Sequence, residues 1–213
     1  MKFRTAGALA LLAACVTALA SGTSVSAGIA HPRVVSANPA NMPQIPLGDY
    51  AVTGIQQVGN TLYAGNRFNT LGGQPRTNIG SFNATTGAMT GFAPTFNGQV
   101  WDIEDPGGGR LAVGGEFTTV NGVARRGLAV VNATSGAVDP DFNARLSGYV
   151  YSLDLVSGRL IAGGRFAKRL LALNPTSGAD TGYLNLDIVG SYVYRTAVSP
   201  DRTRLVAVAP VTR

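Results

Sequence analysis

The sequence predicts an all-β fold made of repeated antiparallel sheets, and three observations carry that prediction. The stretch Leu111-Ala112-Val113-Gly114-Gly115-Glu116-Phe117 has a copy on each side, Leu62-Tyr63-Ala64-Gly65-Asn66-Arg67-Phe68 and Leu160-Ile161-Ala162-Gly163-Gly164-Arg165-Phe166. The first glycines stand at 65, 114 and 163, two equal steps of 49 residues, and a fixed period in this range is the mark of a repeat architecture. A turn sequence, Asn83-Ala84-Thr85-Thr86-Gly87, returns at the same step as Asn132-Ala133-Thr134-Ser135-Gly136. Only 13% of residues are charged and 28 are glycine, which suits short strands and tight turns better than amphipathic helices.

The chain opens with a basic pair, Lys2 and Arg4, an apolar run over 6–20 and a small-residue motif, Val25-Ser26-Ala27. That order reads as a signal peptide over 1–27, and it predicts a secreted or cell-surface protein. The run is too short for a comfortable membrane span. Leu12-Ala13-Ala14-Cys15 offers a rival, lipid attachment at Cys15, but 16–20 stays mostly apolar where a lipoprotein turns polar at once. Cleavage removes the only cysteine, so no disulfide, thiolate metal site or cysteine nucleophile is expected. The single histidine, His31, precedes the repeats, which excludes His-based metal centres and Ser-His-Asp chemistry within them. No cofactor is expected. The net charge of +6 falls to +4 without Lys2 and Arg4, and the remaining arginines are scattered, so a solvated surface is expected rather than a nucleic-acid site.

Residues 28–51 carry Pro32, Pro43 and Pro46 and read as a linker, with 34–38 as a possible outer strand. The first unit, 52–99, alternates over 52–56, turns at Gly59-Asn60, and continues as strands over 62–68, 79–83 and 89–92. The second unit, 100–148, repeats that order. Its strands are 100–104, 111–117 and 128–131, and its turns are Asp105-Pro106-Gly107 and Asn132 to Gly136. Unit three, 149–190, keeps the pattern but shortens the loop between its second and third strands. Unit four, 191–213, supplies half a unit. Trp101 with Ile103, Tyr151 with Leu153, and Tyr194 with Thr196 are expected on one face of each first strand, as core. The double glycines at 114 and 163 are expected to allow a bulge or close approach of a neighbouring sheet.

Four short antiparallel strands in about 49 residues make a β-propeller blade. The prediction is therefore three complete blades and a partial fourth. The pattern Leu-x-x-Gly-Gly-x-Phe, then Thr118-Thr119-Val120-Asn121-Gly122-Val123-Ala124-Arg125, then Asn132-Ala133-Thr134-Ser135-Gly136-Ala137, resembles the delta-60 type propeller repeat. The resemblance runs over 52–213. It implies a secreted bacterial protein, kelch-like in shape, that acts as an interaction scaffold, and members with more repeats than this chain carries. Residues 34–38 can close such a ring as an outer strand, but the third strand, equivalent to 128–131, has no source in this reading. Residues 28–213 are therefore expected to self-associate, unfold with little cooperativity or need more sequence, rather than close as a stable monomer.

No residue set reads as catalytic. Gln56, Glu104 and Asp154 occupy equivalent places on successive first strands and form a candidate polar ring about the axis. Arg76, Arg125 and Arg126, with Lys168 and Arg169, recur just before the third strands and form a candidate basic rim, each expected to pair with a neighbouring blade. Asp139-Pro140-Asp141-Phe142-Asn143 has the oxygen spacing of a calcium loop's start but lacks its glycine and its closing acid, so it reads as a turn and no metal site is expected. The leading functional expectation is a non-catalytic scaffold that presents loops to a protein or cell-surface glycan. The alternatives are an exported glycoside hydrolase or lyase using Glu104 and Asp154, and a structural spacer in a larger surface protein.

Overall fold

The computed structural model describes residues 51–186, 188, 190–200 and 204–210, all within the unit Met42–Arg213. The signal peptide, Cys15, His31 and the possible strand at 34–38 lie outside the described residues. Among those described there is no helix.

Blade one is the sheet β1 (Gly54–Val58), β2 (Thr61–Gly65) and β5 (Ile79–Asn83), with a two-stranded hairpin, β3 (Thr70–Leu71) and β4 (Gln74–Pro75), in the loop before β5. Blade two repeats it with β6 (Val100–Glu104), β7 (Arg110–Gly115) and β10 (Leu128–Asn132), and the hairpin β8 (Thr119–Val120) and β9 (Val123–Ala124). Blade three is β11 (Tyr149–Val156), β12 (Arg159–Arg165) and β13 (Leu170–Leu173). A half-blade, β14 (Arg195–Val198) and β15 (Leu205–Val208), follows. All pairings within these sheets are antiparallel.

Two details differ from the sequence reading. The expected fourth strand is reduced in each blade to a single bridge, Phe82 to Met89, Val131 to Val138 and Leu173 to Asp180. Gly91 and Pro140 follow the first two of these bridges, and neither sustains a strand. The residues missing from unit three are the small hairpin itself. Its two-residue turns are Gly72-Gly73 and Asn121-Gly122, all four at positive φ, which matches the twist of a tight hairpin.

The repeated asparagines build the turns that the sequence assigns to them. Asn83 Oδ1 accepts from the backbone N–H groups of Thr85 and Thr86, Asn132 Oδ1 from Thr134 and Ser135, and Asn174 Oδ1 from Thr176 and Ser177. The glycine closing each turn, at 87, 136 and 178, has φ of 71, 74 and 77°.

Each junction between blades is built around the first glycine of the repeat. A Cβ on Gly65 would lie 2.5 Å from Val100 Cγ1, one on Gly114 2.8 Å from Val150 Cγ1, and one on Gly163 2.8 Å from Val193 Cγ1. No side chain fits there, so the next blade's first strand packs directly on backbone. The second glycine does a different job. A Cβ on Gly115 would meet the Gln99 carbonyl at 2.1 Å, and one on Gly164 the Tyr149 carbonyl at 2.1 Å, both within the same blade and beside a bulge. Bulge and close approach are thus both realised, one by each glycine.

Apolar clusters fill the junctions. Tyr63, Phe92, Phe96, Val100, Ile103 and Phe117 belong to the cluster between blades one and two. Phe142, Leu146, Val150, Leu153, Leu160 and Leu171 belong to the one between blades two and three. Polar bonds tie the same junctions: Tyr63 Oη donates to the Ala133 carbonyl at 2.6 Å, and Arg110 Nη1 to the Pro175 carbonyl at 3.0 Å.

Candidate functional site

Residues on the inner strands β1, β6, β11 and β14, or just before them, converge on a common site. A cavity of about 350 Å³ is lined by Val52 and Thr53 from blade one, Trp101 from blade two, Tyr151 from blade three, and Tyr194 and Arg195 from the half-blade. The rings of this wall and of Tyr192 touch in series. Trp101 and Tyr151 meet edge to face with centroids 5.8 Å apart, Tyr151 and Tyr192 likewise at 5.7 Å, and Tyr151 and Tyr194 lie tilted at 6.4 Å.

This corrects the expectation that Trp101 and Tyr151 share a buried face with Ile103 and Leu153. The register shifts between Val100 and Asp102, and again between Val150 and Ser152. Each shift leaves Trp101 or Tyr151 unpaired as the extra residue of a bulge, and a bulge re-aims the side chain it carries. Alternation then fails. Ile103 and Leu153 are buried in the blade junctions, whereas Trp101 and Tyr151 stay half-exposed on the cavity wall.

The polar ring is more acidic than the sequence suggested. Gln56, Glu104 and Asp154 do occupy equivalent positions, opposite Tyr63, Ala112 and Ile161 respectively. Glu104 and Asp154 interact, and Asp102, which the sequence reading passed over, joins them. Burial pushes Glu104 up to about 7, and the charges of Asp154 and Asp102 push in the same direction. Burial raises Asp102 to about 6, against hydrogen bonds from the backbone N–H groups of Leu153 and Ile103 and the charge of Arg195. Asp154 is raised by burial too, and its Oδ2 is buried without a hydrogen-bond partner.

Asp102 also has a structural task. Its Oδ2 accepts from Leu153 N of the next blade at 2.9 Å, while its Oδ1 accepts from Ile103 N at 2.9 Å. Blade three repeats the device with a different residue: Ser152 Oγ accepts from Thr196 N at 2.8 Å, and the two hydroxyls bond as well. Inner strands are therefore stitched to one another around the axis.

The basic rim is tied down within its own blades rather than to neighbouring ones. Arg76 donates to the carbonyls of Pro75 and Thr90, at 2.7 and 2.9 Å, and Arg125 to those of Ala124 and Asp139, at 2.9 and 3.3 Å. Lys168 reaches the outer segment of blade three through Asp180 Oδ2 at 2.7 Å, and that bond holds the Asp180 carboxyl below its ordinary value. These cations clasp each blade's hairpin or loop to its outer segment. Arg126 is exposed. Among the described residues no group of three or more His, Cys, Asp or Glu side chains is placed to hold a metal ion.

In chemical terms the site offers aromatic faces and one exposed guanidinium over a set of carboxylates that all resist ionisation. Paired acid–base catalysis needs two groups whose environments separate their pKa values. Here every member moves the same way, and none of the three is among the residues described on the cavity wall.

No protein-family model matches this chain, and no curated protein matches it. Solved structures do. The WD40 β-propeller domain of Doa1 is 12% identical and matches 75% of this chain and 48% of its own length, with a TM-score of 0.54. A chain of the mitotic checkpoint complex is 20% identical over 74% of this chain and 46% of its own, with a TM-score of 0.53. The computationally designed Ika4 protein is 15% identical over 76% of this chain and 87% of its own, with a TM-score of 0.50. The chain thus spans about half the length of the WD40 domain it matches. Its sheets, their order and these likenesses agree on one conclusion: the fold is that of a β-propeller.

Proposed function

We propose that this chain is a non-catalytic β-propeller scaffold that docks a partner protein on its axial aromatic face. The observation that carries this reading is the convergence of Trp101, Tyr151, Tyr194 and Arg195 on one cavity, each on an inner strand or directly before it. Trp, Tyr and Arg are the residue types that dominate binding energy at protein interfaces, because they bury large area at low entropic cost. The checkpoint-complex chain with the same fold works inside a protein assembly, which is the kind of role proposed here. The signal sequence over 1–27 supports export, and the repeat pattern supports kinship with delta-60 type repeats. Within this reading 28–51 is a linker and 52–213 the propeller.

A second reading, an exported glycoside hydrolase or lyase, has one observation in its favour. Glu104 and Asp154 interact, and aromatic rings lie on the neighbouring cavity wall. It is the weaker reading because burial raises all three carboxyls together instead of setting an acid apart from a base or nucleophile.

A photo-reactive residue at Tyr194 tests the two, with a second at Arg126 as the control. The scaffold reading expects a protein adduct from position 194 and none from 126, reduced at least tenfold by Trp101→Ala. Equal adducts from both positions contradict it. Glycan binding abolished by Trp101→Ala moves the ligand to a sugar, and glycan cleavage lost in Glu104→Gln establishes the enzyme.

A further inference from the structure

We propose that a second cavity, at the junction of blades one and two, is a binding site for a sugar acid, with Arg67 holding the ligand's carboxylate. The inference is independent of the axial docking site. The cavity has a volume of about 450 Å³, within the roughly 300–1,000 Å³ of small-molecule sites. Its lining includes Arg67, Asn69, Thr77, Asn78, Asn97 and Gly98, and among the described residues no Asp or Glu lines it.

The polar lining consists largely of hydrogen-bond donors left over after the fold has taken its share. Asn78 is only 7% exposed, and its amide serves the backbone on both sides of the junction. Its Oδ1 accepts from Phe68 N at 3.0 Å, and its Nδ2 donates to the Phe96 carbonyl at 2.8 Å. An amide nitrogen carries two hydrogens, so one N–H of this buried side chain remains unspent. Asn97 repeats the arrangement. Its Oδ1 accepts from Thr118 N and Thr119 N, at 2.8 and 2.9 Å, and its Nδ2 gives one hydrogen to Thr118 Oγ1 at 2.8 Å. Arg67 is exposed and has no ion pair or hydrogen bond among the described residues, so its guanidinium keeps all its donors. A cation and spare amide N–H groups around one space, with both asparagine oxygens already engaged, select an anionic acceptor.

The junction of blades two and three shows that the fold does not require these groups. Glu116, Arg126, Gly127, Ser147 and Gly148 stand there in place of Arg67, Thr77, Asn78, Asn97 and Gly98. Asn78 and Gly127 share a left-handed backbone, with φ of 68 and 71°. A Cβ on Gly127 would nevertheless run into the Gly148 carbonyl. The second junction is therefore closed at the point where the first holds a whole asparagine side chain beside a cavity. The charge differs as well, since an acid occupies the place of Arg67.

Size and the neutral groups set the ligand's class. A bare inorganic ion fills only a small part of this space. The Thr77 hydroxyl and the Asn69 amide make no hydrogen bond among the described residues, and each can both donate and accept, which suits the alcohol groups of a ligand. A guanidinium takes a carboxylate through two parallel N–H···O bonds. A carboxylate carried on a hydroxylated ring, as in a uronate, meets all of these demands: negative charge, a planar pair of acceptors, and hydroxyls on the remaining faces.

The test titrates the full chain with glucuronate and follows the Asn78 side-chain amide and the Gly98 N–H by nitrogen-15 NMR. Glucuronate is expected to shift both signals, and glucose, which lacks the carboxylate, to bind at least tenfold more weakly. Arg67→Glu, which copies the residue at the equivalent place in blade two, should lower glucuronate affinity at least tenfold, and Arg126→Gln should leave it unchanged. Arg67→Gln repeats the measurement without a reversed charge, and unchanged affinity in that folded variant overturns the proposal. So does equal binding of glucose, or no shift with glucuronate in large excess. Tighter binding of inorganic phosphate overturns it by making the cavity a general oxyanion site. Tighter binding of acetyl-glutamate amide overturns it by placing a protein carboxylate there instead of a sugar acid.

Discussion

Blade two and the half-blade share the antiparallel pairing of their first two strands, and they differ in what lies beside them. Blade two has a neighbour on each face. Leu111, Val113, Ala129 and Val131 pack toward blade one, while Ala112, Leu128 and Val130 pack toward blade three, and all seven are buried. Among the described residues the half-blade has a neighbour on one face only: Leu205 packs toward blade three, and Val206 and Val208 stay exposed. Blade one shows the mirror image. Ile55, the register equivalent of Ile103 and Leu153, is 59% exposed where they are 1% and 4%. Equivalent apolar positions thus become core or surface according to whether a neighbouring blade packs on them. The stability of this fold resides in junctions, as expected of a repeat architecture in which each unit contacts only its neighbours.

The largest effect is expected from emptying an interior junction. Phe142 is fully buried between blades two and three, and Phe142→Ala should cost about 3–5 kcal/mol in denaturant unfolding. Leu205→Ala on the half-blade should cost clearly less, because Leu205 is only half-buried. Equal losses would show that the half-blade is as well packed as the interior.

The repeat glycine provides a sharper contrast. Gly114→Val forces a side chain against Val150 and should destabilise by about 1–3 kcal/mol. Val208 stands at the same register place on β15, opposite Arg195 as Gly114 stands opposite Asp102. Val208→Gly should therefore change stability by no more than about 1 kcal/mol, the ordinary cost of glycine in a strand. A large loss at Val208 would mean that its side chain is packed by a neighbour.

A smaller effect belongs to the turns. Asn132→Ala removes the acceptor for the Thr134 and Ser135 N–H groups, which are solvent-exposed and gain water instead. The expected loss is about 1 kcal/mol, measured as a shift in the unfolding midpoint.

The last effect is one of sign. Asp102, Glu104 and Asp154 all have folded-state values raised above the ordinary carboxylate range, by burial first. The folded chain therefore holds more protons than the unfolded chain between about pH 4 and 7. Their contribution to stability is fully present below the unfolded value and is lost as pH rises through the folded values. Melting temperature should be higher at pH 5 than at pH 8, and Glu104→Gln should narrow the gap. A rise in stability with pH across that window would contradict the raised values.

Much of this was legible from the residues. The repeat glycines and the Asn-to-Gly turns located the three full blades, because their chemistry is local: a missing Cβ and a side chain bonding its own backbone. The bulges at Trp101 and Tyr151 were not legible, since the extra residue is visible only against a partner strand. That one step hid the aromatic wall, and it hid Asp102, whose hydrogen bond to Leu153 N crosses to the next blade. The partners of Arg76 and Arg125 were equally hidden, because a backbone carbonyl leaves no trace in side-chain identity. The hairpins at Gly72-Gly73 and Asn121-Gly122 carried a readable tight-turn signal that the longer strands overshadowed.

Trp101 is the only tryptophan in the chain and stands on the cavity wall, so its fluorescence reports on the proposed site alone. The decisive measurement is acrylamide quenching of Trp101 with and without the partner cross-linked at Tyr194. The account predicts that the bound partner shields the indole, lowering the quenching constant at least twofold and shifting its emission to the blue. Unchanged quenching and emission at saturating partner would place the binding surface elsewhere on the propeller.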